Sequence, residues 1–306
     1  MTTRLNVTLA PSVWAALPPH ELFALVGRLE ESGAGSVVLT DPATTGEAGP
    51  WRWDPPTAAA ALAGFTSRIG LVTPVATGFT EPLSASRQIG SIDHFARGRA
   101  GWLLDIEEDP IRAARTRAVS PVLATGEPVA RAVELVTAAR SLWDGWAEGA
   151  FSVDIANGTI IDRSRIHPSD FAGRHFRVAG PSTLRRPPNG NPAVFVRVAD
   201  DAGAELAGAV ADVALVPVAE LAGRAPALAA AAAERASRDH GPAVLASITL
   251  HDLTADISAT AGADLLVDGP TDLDVLAGAV ATLAARVPAA EGAGLRGTYA
   301  LPTLRG

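Results

Sequence analysis

The sequence predicts an α/β fold, a (β/α)8 TIM barrel, on three observations. Short apolar, β-branched runs alternate with helix-patterned segments from end to end. Eight such runs occur, the number a closed parallel barrel needs. The chain has 306 residues, a length that barrels commonly hold as a single unit, so residues 1–306 are expected to form one domain.

The strands are expected at Leu5–Ala10, Ser36–Thr40, Ile69–Ala76, Arg99–Ile106, Ala193–Ala199, Val213–Val218, Val244–Leu250 and Asp264–Val267. Between the first two, Leu22, Leu25, Val26 and Leu29 fall on one helical face, and Gly33 suits a left-handed stop. Asp54 before Pro55 and Pro56 predicts a capped helix start ahead of Ala58–Leu62. Pro82 opens another helix, with Leu83, Ile89 and Ile92 expected inward. The clearest apolar stripe is Ala132, Leu135, Val136, Ala139, Leu142, Trp143 and Trp146. Residues 148–192 break the rhythm: Asn157-Gly158 predicts a type I′ hairpin, and Gly180–Pro192 is rich in Pro, Gly and Arg. This stretch reads as a surface excursion between helix four and strand five. Ala219–Arg238 is helical by its alanine content, and only Asp252–Gly262 is left for a seventh helix.

Composition excludes several chemistries. There is no Cys, so disulfides, thiolate catalysis and cysteine-held metals are out. All 25 basic residues are Arg, which removes Schiff-base chemistry on lysine. A formal net charge of −8 argues against nucleic acid or an anionic membrane as partner. No run of about 18 apolar residues is present, and Met1–Pro18 lacks a signal-peptide pattern, so a cytoplasmic protein is expected. No His and carboxylate spacing points to a metal.

Several segments, in order along the chain, resemble the nitrilotriacetate monooxygenase group of the luciferase-like flavin monooxygenases. They are Glu81-Pro82 through Asp93-His94 to Gly98-Arg99-Ala100-Gly101-Trp102; Leu142-Trp143-Asp144-Gly145-Trp146; His167-Pro168; Gly173-Arg174-His175-Phe176; Gly180-Pro181; Arg186-Pro187-Pro188-Asn189-Gly190; and Asp201-Ala202-Gly203. Leu295–Arg305 resembles the group's C-terminus. The group's long insertion late in the barrel is missing, since Asp264 follows His251 closely.

The resemblance implies reduced FMN from a separate flavin reductase, dioxygen, a small organic substrate and a homodimer. The deazaflavin F420, used by a sister group, stays open as cofactor. By the same resemblance Asp41 lies near the flavin ring, although it reads equally as a helix cap or loop aspartate. Thr77 matches a polar flavin-side position and also reads as strand filler.

Other flavin positions look eroded. Where the group has Asn, then Thr-Ser, this chain has Leu103, Ile106 and Glu107, and its His and Tyr are replaced by Thr125 and Val129. Leu and Ile side chains make no hydrogen bonds. The group's phosphate-holding Gly-x-Ser corresponds to Val198-Ala199-Asp200, which sets a carboxylate beside the phosphate. Arg197 either compensates or faces the helices in an ion pair. Asp41, Asp105, Glu107, Glu108, Asp109, Asp200, Asp201 and Asp268 make the strand ends acidic, a poor anion site. His251, after strand seven, is the histidine best placed for acid–base work. Trp14, Trp51 and Trp53 read as a substrate lining or as a cover for the mouth.

Three readings of function follow. One is a flavin-dependent monooxygenase with a modified site. Another is a non-catalytic barrel that serves as a paralogous partner or ligand-binding protein. The third is a different barrel enzyme that uses His251 and carboxylates.

Overall fold

The computed structural model describes residues 3–41, 49–106, 127–233, 242–249, 253, 262–268, 271–287, 289, 294–299 and 301. Eight parallel strands close into a barrel: β1 (Leu5–Leu9), β2 (Ser36–Leu39), β3 (Gly70–Ala76), β4 (Ala100–Asp105), β9 (Ala193–Arg197), β10 (Val213–Pro217), β11 (Ala243–Thr249) and β12 (Gly262–Val267). Each strand pairs with its neighbours in chain order, and β12 pairs with β1 to close the ring. The eight expected strands are all present.

Alternation along the strands builds two cores. Val194, Val196 and Val198 pack outward against the helices with Trp143 and Leu206. Ala193, Phe195, Leu103, Val72, Val213, Leu215 and Leu245 point into the barrel. Around the strands lie α1 (Pro11–Trp14), α2 (Pro19–Glu31), α3 (Pro55–Ala63), α4 (Pro82–Phe95), α5 (Pro128–Asp144), α6 (Asp201–Val210), α7 (Leu221–Ala233), α8 (Leu273–Ala284) and α9 (Gly294–Thr298).

The helix signals act as expected. Leu22, Leu25, Val26 and Leu29 are buried, and Gly33 ends the turn after α2 at φ +98°. Asp54 accepts from Thr57 N at 3.2 Å and Thr57 Oγ1 at 2.9 Å. Leu83 is a correction: it is 40% exposed, because six residues of helical rotation separate it from the face that holds Ile89.

The stretch between α5 and β9 carries two small antiparallel ribbons, β5 (Phe151–Asp154) with β6 (Thr159–Ile161) and β7 (Phe171–Ala172) with β8 (Arg177–Val178). The turn between β5 and β6 differs from the expected type I′. Asp154 pairs with Thr159 across four residues, and only Gly158, at φ +65°, is left-handed. Asp154 stabilises this longer loop by accepting from Asn157 N and Nδ2.

The N-terminal end of the barrel is plugged from inside. α9 places Leu295 and Tyr299 within the interior core, and the Tyr299 hydroxyl lies 2.5 Å from Ser36 Oγ. Arg296 donates to Asn191 O at 3.1 Å and reaches the fully buried Asp212, which Arg140 also pairs at 2.9 Å. With that end filled, the C-terminal strand ends form the barrel's mouth, where sites of such barrels lie.

Candidate functional site

Several of the resembling motifs assemble into one structural knot. Asp93 Oδ1 accepts from Ala100 N at 3.0 Å and its Oδ2 from Asn189 N at 3.1 Å, tying α4, β4 and the Pro-rich loop together. Burial pushes the Asp93 carboxyl up to about 6, against the pull of both N–H donors and of Arg99. Trp102 and Trp143 meet edge to face at 5.8 Å. Trp102 Nε1 donates to Pro192 O and Trp143 Nε1 to Ser86 O. Asp144 pairs with Arg186 at 2.9 Å and accepts from Asn191 Nδ2 at 3.0 Å.

The mouth itself carries the candidate site residues, and the structure brings only some of them together. Thr77 is buried just past β3, and its Oγ1 donates to Asp105 O at 3.0 Å, so the hydroxyl is committed to the neighbouring strand. Asp41 lies half-buried beyond β2. Leu103 is fully buried among Val72, Phe195 and Leu215, an apolar filling below the mouth. Ala199 and Asp200 are exposed at the end of β9. His251, together with Thr125 and Glu107–Asp109, lies outside the described residues.

Asp200 is the N-cap of α6, its Oδ1 accepting from Gly203 N at 2.7 Å. The helix N-terminus that follows strand five thus already holds a carboxylate of its own. A Cβ on Gly203 would lie 2.7 Å from Arg197 O, so this glycine serves close packing of the helix on the strand. Asp201 pairs with Arg224 at 3.0 Å. These residues do not fit a phosphate: the capped N–H is taken and the charge is of the wrong sign.

For Arg197 the structure selects the inward alternative over the helix-facing one. It shares its strand face with Ala193 and Phe195, which line the interior, whereas Val196 and Val198 pack on the helices. It therefore points into the barrel, close enough to Asp264 for its charge to act on that carboxyl.

Sequence reasoning missed what lies there. Asp264, 1% exposed, accepts from Asn6 Nδ2 and Thr8 Oγ1, both at 2.7 Å, and from Ser247 Oγ at 2.8 Å. Ser36 Oγ extends the chain of contacts to Asn6 Oδ1 and to Tyr299. Burial pushes the Asp264 carboxyl up, opposed by its three hydrogen-bond donors and by Arg197. The signal was present: polar Asn6, Thr8 and Asp264 occupy alternate positions in otherwise apolar strands.

The three tryptophans serve packing. Trp14 is fully buried, Trp51 and Trp53 lie against the same core, and Trp53 Nε1 donates to Leu17 O at 2.7 Å. Among the described residues no group of three His, Cys, Asp or Glu side chains is placed to hold a metal ion. Nor is any described helix long and apolar enough to cross a membrane.

Comparison with known proteins agrees with this architecture. A component of pristinamycin IIA synthase from Streptomyces pristinaespiralis is 36% identical over 167 residues, 55% of this chain and 53% of that protein. Nitrilotriacetate monooxygenase component A of Aminobacter aminovorans is 35% identical over 160 residues, 52% of this chain and 35% of that one. The matches thus span about half or less of these relatives' own lengths. The crystal structure of a long-chain alkane monooxygenase superposes with a TM-score of 0.71 at 20% identity, over 81% of this chain and 64% of that one, which shows the shared fold. The family profile described as luciferase-like monooxygenase matches residues 3–292. The chain belongs to the luciferase-like monooxygenase family.

Proposed function

We propose that the protein is a flavin-dependent monooxygenase that acts on a small organic substrate at the barrel mouth. The observation that carries this reading is the family match over residues 3–292, on a closed barrel whose other end is sealed. The relatives are named for synthase or monooxygenase activity and do not favour a non-catalytic barrel. The cofactor we propose is FMN in its reduced form, supplied by a separate reductase. Bound there, it would supply the redox chemistry. Asp200 and Asp201 at the start of α6 do not fit its phosphate, so no step is assigned to them. Asp41 and Thr77, just past β2 and β3, remain proposed mouth residues together with His251.

The test is an anaerobic titration with reduced FMN and, separately, with reduced F420, followed by flavin fluorescence and calorimetry. Saturable binding of one reduced FMN per chain is the expected result. Saturation by F420 alone would replace the cofactor, and saturation by neither would overturn the reading.

We further propose a cytoplasmic homodimer with one domain per chain. Light scattering at micromolar concentration should give twice the 31.3 kDa chain mass. A monomeric mass would refute the dimer.

A further inference from the structure

Among the described residues Arg197 is a cation on the interior face at a mouth-end strand terminus, and its Nη2 is buried without a hydrogen-bond partner. It is the last residue of β9 and is half-buried. A buried donor left without an acceptor is costly, and more so on a charged group.

Asp264 is the nearby carboxylate, yet it does not quench this donor. Three other donors occupy it, and the pair is not within ion-pair distance among the described contacts. The carboxylate therefore holds a field across the site while the guanidinium's hydrogen-bonding edge stays unused. Guanidinium groups present paired N–H donors that match planar oxyanions. Along β9 and β10 its neighbours on this face are apolar: Phe195 lies two residues before Arg197 and Leu215 pairs with it in register. Such surroundings strengthen a charge-assisted bond by excluding water.

We propose that Arg197 is an anion-binding group of the mouth, which takes an oxyanion of the bound ligand. This reading deepens the proposed function by giving the ligand a chemical class. It also sets one cation among the carboxylates of the mouth, of which Asp201 is paired by Arg224. One chemistry has two sources here: a carboxylate on the organic substrate, or the phosphate of the cofactor.

The experiment uses the full chain without flavin and titrates succinate and inorganic phosphate into wild type, Arg197→Gln and Arg197→Lys by calorimetry. A second series compares FMN with riboflavin on the same three proteins. Loss of the charged pair should weaken oxyanion binding roughly tenfold to a hundredfold in Arg197→Gln, with Arg197→Lys in between. Thermal melts verify that each variant is folded, and the Lys variant keeps the test alive should the Gln variant fail. A loss confined to succinate assigns the site to a substrate carboxylate. A loss for phosphate, together with a fall in FMN but not riboflavin affinity, assigns it to the cofactor. Equal binding of both anions by wild type and variants, or no saturable binding by wild type, overturns the proposal. Because these anion titrations contain no flavin, their failure leaves the reduced-FMN titration to decide the function independently.

Discussion

Asp200 is where one side chain governs two properties. It caps α6 through Gly203 N and sets a negative charge where the family's phosphate is expected. Serine is an equally good N-cap, so Asp200→Ser should keep the helix while it removes the charge. FMN affinity should rise by about tenfold, the size of a lost like-charge contact of roughly 1 kcal/mol or more, while riboflavin affinity stays level. Equal gains for both ligands in a fluorescence titration would disprove the phosphate explanation. Asp93 makes a different residue-scale prediction. Its carboxyl sits at about 6 in the folded chain against an ordinary value of 3.8. The folded protein therefore holds this proton more tightly than the unfolded one. Its contribution to stability is greatest below pH 4, falls as pH rises toward 6, and is flat above. The full span is on the order of 3 kcal/mol. Urea unfolding at pH 4, 5 and 7 should show this slope in wild type and lose it in Asp93→Asn. A slope unchanged by the substitution would show that Asp93 is not its source.

At the scale of elements, the strands were legible because eight apolar runs have only one economical parallel closure, and the helices because their caps and stripes are local. Asp54, Gly33 and the stripe on α5 all act where the pattern placed them. What failed or stayed open depended on geometry that no local pattern contains. Arg197 follows Phe195 by two positions, so its face is fixed by which valines meet the helices, and that is a tertiary fact. The β5–β6 turn departs from the two-residue loop that Asn157-Gly158 signals, because Asp154 bonds to Asn157 and widens it. The site was less legible than the fold. Thr77, Ala199 and Asp200 lie just past strand ends, whereas Leu103 lies within β4. The Asp264 cluster has members up to 258 positions apart in sequence, beyond the reach of any local pattern.

For the molecule as a whole, the two ends of the barrel are built to different specifications. The mouth holds polar and charged side chains, while the opposite end is closed by the chain's own C-terminal segment. That seal requires Gly101: a Cβ there would stand 2.7 Å from Leu295 Cδ2, 3.0 Å from Ala193 O and 3.1 Å from Phe195 Cε2. Gly101→Ala should therefore overpack the interior and cost about 1–3 kcal/mol. Leu295→Ala removes a fully buried side chain from the same spot and should cost about 2–5 kcal/mol through the cavity it leaves. The two changes are complementary in volume. The double variant should thus be less destabilised than the sum of the singles, with a coupling of about 0.5–3 kcal/mol measured by urea unfolding. Because the seal lies at the end of the barrel away from the mouth, the folded fraction of each variant should bind reduced FMN as wild type does. Additive costs would mean that Leu295 does not press on β4. A change in flavin affinity would mean that the two ends are mechanically linked through the interior column of Leu103, Phe195 and Leu215.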